Sequence, residues 1–174
     1  MPVLLVVAAF SRHDDALRWG RERLEETCGP VGLASEPFLF NQTHYYEATM
    51  GSDLRKQFLA FERLVPPDCL PDVKLRTNAL EKDLAATRAF PEERPLNLDP
   101  GLLALGKLLL ATTKDQAHRI YLREGIFAEV TLRYHDGAWE PWPWTYADYR
   151  LPEVHAFLQQ ARDFYRSRLR DDCP

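Results

Sequence analysis

The 174-residue chain predicts an α/β protein of the α+β kind, with a mixed or antiparallel sheet, a ferredoxin-like split βαβ start, a C-terminal β-meander and a final helix. Three observations carry this prediction. Residues 3–10 (VLLVVAAF) are a continuous apolar, β-branched run of the kind a central strand shows. Residues 120–142 carry two turn signals, Arg123-Glu124-Gly125 and Asp136-Gly137, between segments of strand composition. Residues 152–170 repeat apolar side chains at helical spacing. The length suits one domain, 1–174, with a full core.

Ser11 with Asp14 three residues later resembles a helix start, and Leu17, Leu24 and Cys28 then recur until Gly29-Pro30 stops the helix. Residues 31–40 are apolar and aromatic but interrupted by Pro37, which predicts an edge or bulged strand. The tract QTHYYEATMGSD (42–53) reads as a loop carrying polar aromatics. Residues 55–65 (RKQFLAFERLV) fit a helical face or a broken alternation, and strand is the reading taken. From Pro66 a turn leads into a helix to about residue 85, with Val73, Thr77, Leu80 and Leu84 as its apolar stripe and Lys74, Asn78 and Glu81 on its flank. A short strand to Leu75 with a helix capped at Asn78 is the alternative. Residues 94–99 read as strand. Asp99-Pro100-Gly101 is then a helix N-terminus or a tight turn, and the Leu/Ala/Lys composition of 102–111 favours helix.

If Arg123-Glu124-Gly125 is a three-residue hairpin loop, Leu122 pairs with Ile126, Ile120 with Ala128 and Arg119 with Glu129. One face then holds Ile120, Leu122, Ile126, Ala128, Val130 and Leu132. The other holds Arg119, Tyr121, Phe127, Glu129 and Thr131, and keeping one face buried is what fixes register. Two-residue pairing at Asp136-Gly137 sets Arg133 opposite Glu140. Pro152 opens the last helix, with Val154, Phe157, Leu158, Ala161, Tyr165 and Leu169 on one side and Arg162, Arg166 and Arg170 toward its C-terminal end.

With 22 basic and 26 acidic residues the net charge is −4, which disfavours non-specific nucleic-acid binding because that affinity comes from neutralising phosphates. Cys28, Cys69 and Cys173 are odd in number and widely spaced, so neither a disulfide framework nor a zinc knuckle is indicated, and a reducing, cytoplasmic setting is expected. The apolar run at 3–10 is too short for a membrane span and wrongly flanked for a signal peptide. His13, His44, His118, His135 and His155 show no metal-binding spacing, and no serine sits in a nucleophile elbow. No metal site is expected, and the residues name no cofactor.

The segments SEPFLFNQTHYYEATMG, FERLV, VKLRTNALE, NLDPG, TTKDQAHRIYL, GIFAEVTL and PWTYADYR occur in an order that resembles the prokaryotic domain-of-unknown-function family 4416, over residues 3–150. The resemblance implies no established activity. Some members carry an automatic GTP-binding label. A guanine-nucleotide site needs a glycine-rich phosphate loop and an Asn-Lys-x-Asp base reader, and this chain has neither. Thr49 stands where the family commonly has an acidic residue and Pro95 where a basic one is common, which weakens any role for residues 46–50.

The candidate site residues lie between 74 and 149. Lys114, His118 and Arg119 cluster at a strand entry and suit a phosphate or carboxylate; surface clustering is the plainer reading. Glu129 is expected to pair with Arg119, either orienting a ligand or forming a solvated cross-strand pair. His118 and Glu129 are the acid–base candidates. Asn97 and Asp99 end a strand from which functional groups are presented, although Asp99 also suits a cap or turn. Lys74 faces the same polar groups from the helix flank. Trp142, Trp144, Tyr146 and Tyr149 either wall a site or pin a loop to the core. The expected function is binding of a small anionic ligand, a nucleotide or phosphorylated metabolite, through Lys74, Asn97, Asp99, Lys114, Arg119 and Tyr146, with acid–base or phosphate-directed chemistry. The alternative is a non-catalytic interaction module whose aromatic loops at Tyr45-Tyr46 and Trp142-Trp144 meet a protein partner. No membrane partner is expected.

Overall fold

The computed structural model describes residues 1–39 and 46–171. It contains one antiparallel sheet in the order β2-β4-β1-β5-β6-β8-β7, with β3 paired to β4 and β9 to β8. The predicted split βαβ unit is its first half: β1 (Val3–Ser11), α1 (Asp14–Cys28), β2 (Val31–Ala34), β4 (Arg55–Val65), α3 (Leu70–Ala86) and β5 (Asn97–Ala104). Their spatial order, β2-β4-β1-β5, puts the all-apolar β1 between two partners, where every one of its residues is buried. Pro37 confines the segment after β2 to the two-residue edge strand β3 (Phe38–Leu39). The loop expected at 42–53 lies partly outside the described residues; within it Glu47–Met50 form a short helix, α2.

The two faces of β1 separate the helices. Val3, Leu5, Val7 and Ala9 pack with Leu17 and Leu24 of α1 and Leu70 and Leu84 of α3. Leu4, Val6 and Ala8 pack with Val154, Phe157, Leu158, Ala161 and Tyr165 of α4 (Pro152–Asp171). Each fully buried Leu or Phe stabilises the fold by about 1.5–3 kcal/mol relative to exposure, so both layers are needed.

Three local expectations are corrected. Residues 102–111 are not helical: β5 turns at Gly106 into β6 (Lys107–Thr112), because the leucines gain cross-strand partners on both sides of the pleat. Ser11 does not cap α1 but donates from Oγ to the Pro95 carbonyl, 2.5 Å away, fastening β1 to the segment before β5. The long helix read from Pro66 onward stands, since α3 runs unbroken through Asn78 and the alternative start there is not used. The β7–β8 hairpin loop has two residues, Glu124 and Gly125, both at positive φ, with Arg123 opposite Ile126. A bulge at Leu122 absorbs the difference and restores Ile120 opposite Ala128. Strand β7 (Ile120–Arg123) is nonetheless an edge, and Ile120 and Leu122 are exposed. A second irregularity, at Thr131 of β8 (Ile126–His135), turns Leu132 toward the α4 layer. β9 (Ala138–Pro141) pairs as expected, with Arg133 opposite Glu140.

Candidate functional site

β5 and β6 are paired only from Gly101 opposite Leu110 to Ala104 opposite Lys107. On the other side of Gly101 they part: β5 stays beside β1 as far as Asn97, while β6 stays beside β8 as far as Thr112. The split opens a cavity of about 870 Å³ reached by side chains from both sides of the sheet. Asp99-Pro100-Gly101 is spelled for this split. A Cβ on Gly101 would lie 2.3 Å from the Leu109 carbonyl oxygen, so only glycine lets the strands meet there. The Leu98 N–H points away from β1, and the alternation of a strand puts the missing N–H of Pro100 on the same open side, where no ladder bond is lost.

Helix α3 satisfies that open edge. Glu81 Oε1 accepts the Leu98 N–H at 2.7 Å, and Lys74 Nζ donates to the Leu98 carbonyl and to Asp99 Oδ1, both at 3.1 Å. Lys74 is 6% exposed, and its bonds compensate for taking the ammonium out of water. Arg94 adds Nη2–H to Asn97 Oδ1 at 2.7 Å and lies 3.6 Å from Glu81. Burial raises the Glu81 carboxyl above its ordinary range despite both cations.

On the opposite wall, Glu129 is buried on β8 rather than solvated. Its Oε2 accepts from Arg119 Nε at 2.8 Å and lies 3.2 Å from His118 Nε2, and its Oε1 accepts from Thr131 Oγ1 at 3.2 Å. The Arg119 guanidinium also donates to the Lys114 carbonyl at 2.9 Å and to Tyr146 Oη at 2.7 Å. One buried side chain thus fixes three parts of the cavity wall. His118 stacks on Trp144 with ring centroids 5.1 Å apart, and Trp144 stacks on Trp142 at 5.3 Å.

Of the eight residues singled out in the sequence, Lys74, Asn97, Asp99, Lys114, Glu129 and Tyr146 line the cavity. His118 and Arg119 do not; they stand behind Glu129 and act on the cavity only through the groups they hold. Among the lining residues the sequence reading missed, two form a buried ion pair. Lys56 of β4 is 3% exposed, bonds Asp148 Oδ2 at 2.5 Å, and lies over the Tyr149 ring at 4.5 Å. Its signal was a lysine on the same strand face as Phe58 and Ala60, which are buried. Asp148, on the 3-10 turn Ala147–Arg150, is 92 residues distant from Lys56, and no local pattern links them.

The cavity wall carries five cationic side chains (Lys56, Lys74, Lys82, Arg94, Lys114) and five carboxylates (Glu81, Glu93, Asp99, Glu129, Asp148). Burial raises the phenols of Tyr46, Tyr146 and Tyr149 above their ordinary range, so at neutral pH all three are uncharged. Two residues that line the cavity each carry a buried polar atom without a protein partner, Asn97 Nδ2 and Tyr149 Oη. Among the described residues no group of three or more His, Cys, Asp or Glu is placed to hold a metal ion. No helix in that set is long and apolar enough to cross a membrane.

Fold and site together define an antiparallel α+β protein whose sheet is split by a cavity lined with charged side chains. Residues 1–165 match the family described as domain of unknown function (DUF4416), and the chain belongs to it. No curated protein and no solved structure matches the chain.

Proposed function

We propose that this protein binds a small anionic ligand in the cavity between β5 and β6. The observation that carries the reading is convergence: side chains from β4, α3, β5, β6, β8 and the 146–149 segment meet around about 870 Å³, inside the roughly 300–1,000 Å³ typical of small-molecule sites. Lys74, Lys114 and Arg94 supply positive charge, and Asn97, Asp99 and Tyr146 complete the wall. Any acid–base chemistry falls to the carboxyls that line the cavity. Glu129, with His118 behind it, is fully engaged in hydrogen bonds, whereas Glu81 has its pKa raised by burial, the property that suits a proton-transferring group.

Thermal-shift measurements against carboxylated and phosphorylated metabolites test the proposal, because a ligand that binds only the native state raises Tm. Lys114→Ala should fold normally and show a smaller anion-induced shift than the parent. A parent whose Tm responds to no anion would favour the second reading, an interaction module. The sequence placed that module on the aromatic loops at Tyr45-Tyr46, of which Tyr45 lies outside the described residues, and Trp142-Trp144. The surface that favours it in the fold is instead Ile120, Tyr121 and Leu122, exposed in succession on edge strand β7; self-association or complex formation seen by light scattering, and lost in Tyr121→Lys, would support it.

A further inference from the structure

Asn97 and Tyr149 are 4% and 2% exposed, yet Asn97 Nδ2 and Tyr149 Oη have no protein partner and both residues line the cavity. Buried polar groups are normally satisfied, so two orphaned ones in one cavity wall point to a partner supplied from within it. The polarity of each is fixed. Arg94 donates to Asn97 Oδ1, which leaves the amide's two N–H donors as the end that faces elsewhere. Burial and the neighbouring carboxylates hold the Tyr149 phenol protonated, so its O–H also donates. Both orphans therefore seek an acceptor.

Charge selects among acceptors. The five cations of the wall are matched by five carboxylates, and contacts between them include Lys56 with Asp148, Lys74 with Asp99, and Arg94 with Glu81. A dianionic phosphate or a polyphosphate needs a surplus of positive charge that this wall does not offer. A carboxylate brings one charge and two acceptor oxygens, which suits neutral donors. Those donors are backed by cations: the Arg94 guanidinium polarises the Asn97 amide, and the Lys56 ammonium lies 4.5 Å from the Tyr149 ring centroid. Asn97 and Lys56 also flank Phe10 on neighbouring strands, so the donors and their supporting charges share one end of the cavity.

We infer that the ligand is a small monocarboxylate, seated with its carboxylate on Asn97 Nδ2 and Tyr149 Oη, and not a nucleotide or other phosphate ester. The inference rests on the ligand-binding reading above. Two variants isolate the donors. Asn97→Asp keeps the acceptor for Arg94 and turns the donor end into a second carboxylate oxygen; Tyr149→Phe removes an orphaned hydroxyl. Both should fold and melt near the parent, because neither breaks a bond within the protein.

The probes are matched pairs: serine against phosphoethanolamine, and glycerate against glycerol 3-phosphate, read by Tm and by calorimetric titration of the parent and both variants. The expected result is that serine, glycerate or both shift the parent, their phosphate counterparts do not, and each variant weakens binding about tenfold or more. Phosphate members that match or exceed the carboxylates would overturn the monocarboxylate inference and leave the anion-binding proposal standing. Carboxylates that bind parent and variants alike would overturn the assignment to Asn97 and Tyr149. A parent that responds to none of the four would overturn the inference and count against the anion-binding proposal as well.

Discussion

Arg119 shows how a single residue can organise a cavity without entering it. Its side chain is 2% exposed, and its three nitrogens bond Glu129, the Lys114 carbonyl and Tyr146 Oη. Removing the guanidinium leaves the Glu129 charge buried with only His118 and Thr131 beside it, and breaking a buried pair in this way costs about 3–5 kcal/mol. Arg119→Ala should therefore lose about that much stability in urea denaturation. Arg119→Lys should recover only part of it, since one ammonium cannot reach three divergent acceptors. A loss below about 1 kcal/mol for the alanine variant would mean the pair behaves like the solvated one first considered. The pairing itself was legible in the sequence, because sorting the hairpin into two faces set Arg119 opposite Glu129. Burial was not legible, because the cover comes from the 142–146 segment, whose Trp144 Nε1 donates to the Val130 carbonyl and whose Thr145 Oγ1 donates to the Thr131 carbonyl.

Among elements, β5 and α3 make the site. Leucine-rich residues 102–111 favour helix on intrinsic preference, but preference is worth only tenths of a kcal/mol per residue and yields to pairing with β1 and β8. Gly101 marks the outcome. Gly101→Ala should force β5 and β6 apart where the ladder starts, at about 1–3 kcal/mol, and should alter any ligand response through the displaced wall. A variant with parental stability would show that the strands part more easily than their contact suggests. Helix α3 supplies the pH dependence. Because burial raises the Glu81 pKa, the folded state holds that proton more tightly than the unfolded chain. Stability from this group is accordingly greatest below the ordinary glutamate pKa and falls as pH rises from there through the raised value. Glu81→Gln keeps a carbonyl acceptor for the Leu98 N–H and removes that slope. Apart from a constant offset, the variant should gain on the parent as pH rises through the window. Parallel stability curves would rule out Glu81 as the source.

At the scale of the whole molecule, β1 is the seam on which both helical layers depend. Val6 is 3% exposed, lies between Ala60 and Gly101, and faces α4. Val6→Asp places an unpaired carboxylate there and should cost several kcal/mol, enough to abolish a cooperative melt in this size class. A soluble variant with a sharp transition would contradict the burial of this layer.

Hydrophobic period and turn chemistry are local properties, and they determined most elements, the split βαβ order and the Asp136-Gly137 register, while the family followed from the resemblance of whole motifs along the chain. The tertiary structure decided what those properties cannot encode. Whether residues 102–111 become strand depends on partners that only the assembled sheet provides. Whether Lys56 meets Asp148 depends on two segments 92 residues apart coming together over one sheet face. Asp99-Pro100-Gly101 permits the split, but the cavity exists because two neighbouring strands follow different partners beyond Gly101, and which partner each strand follows is decided only in the assembled sheet.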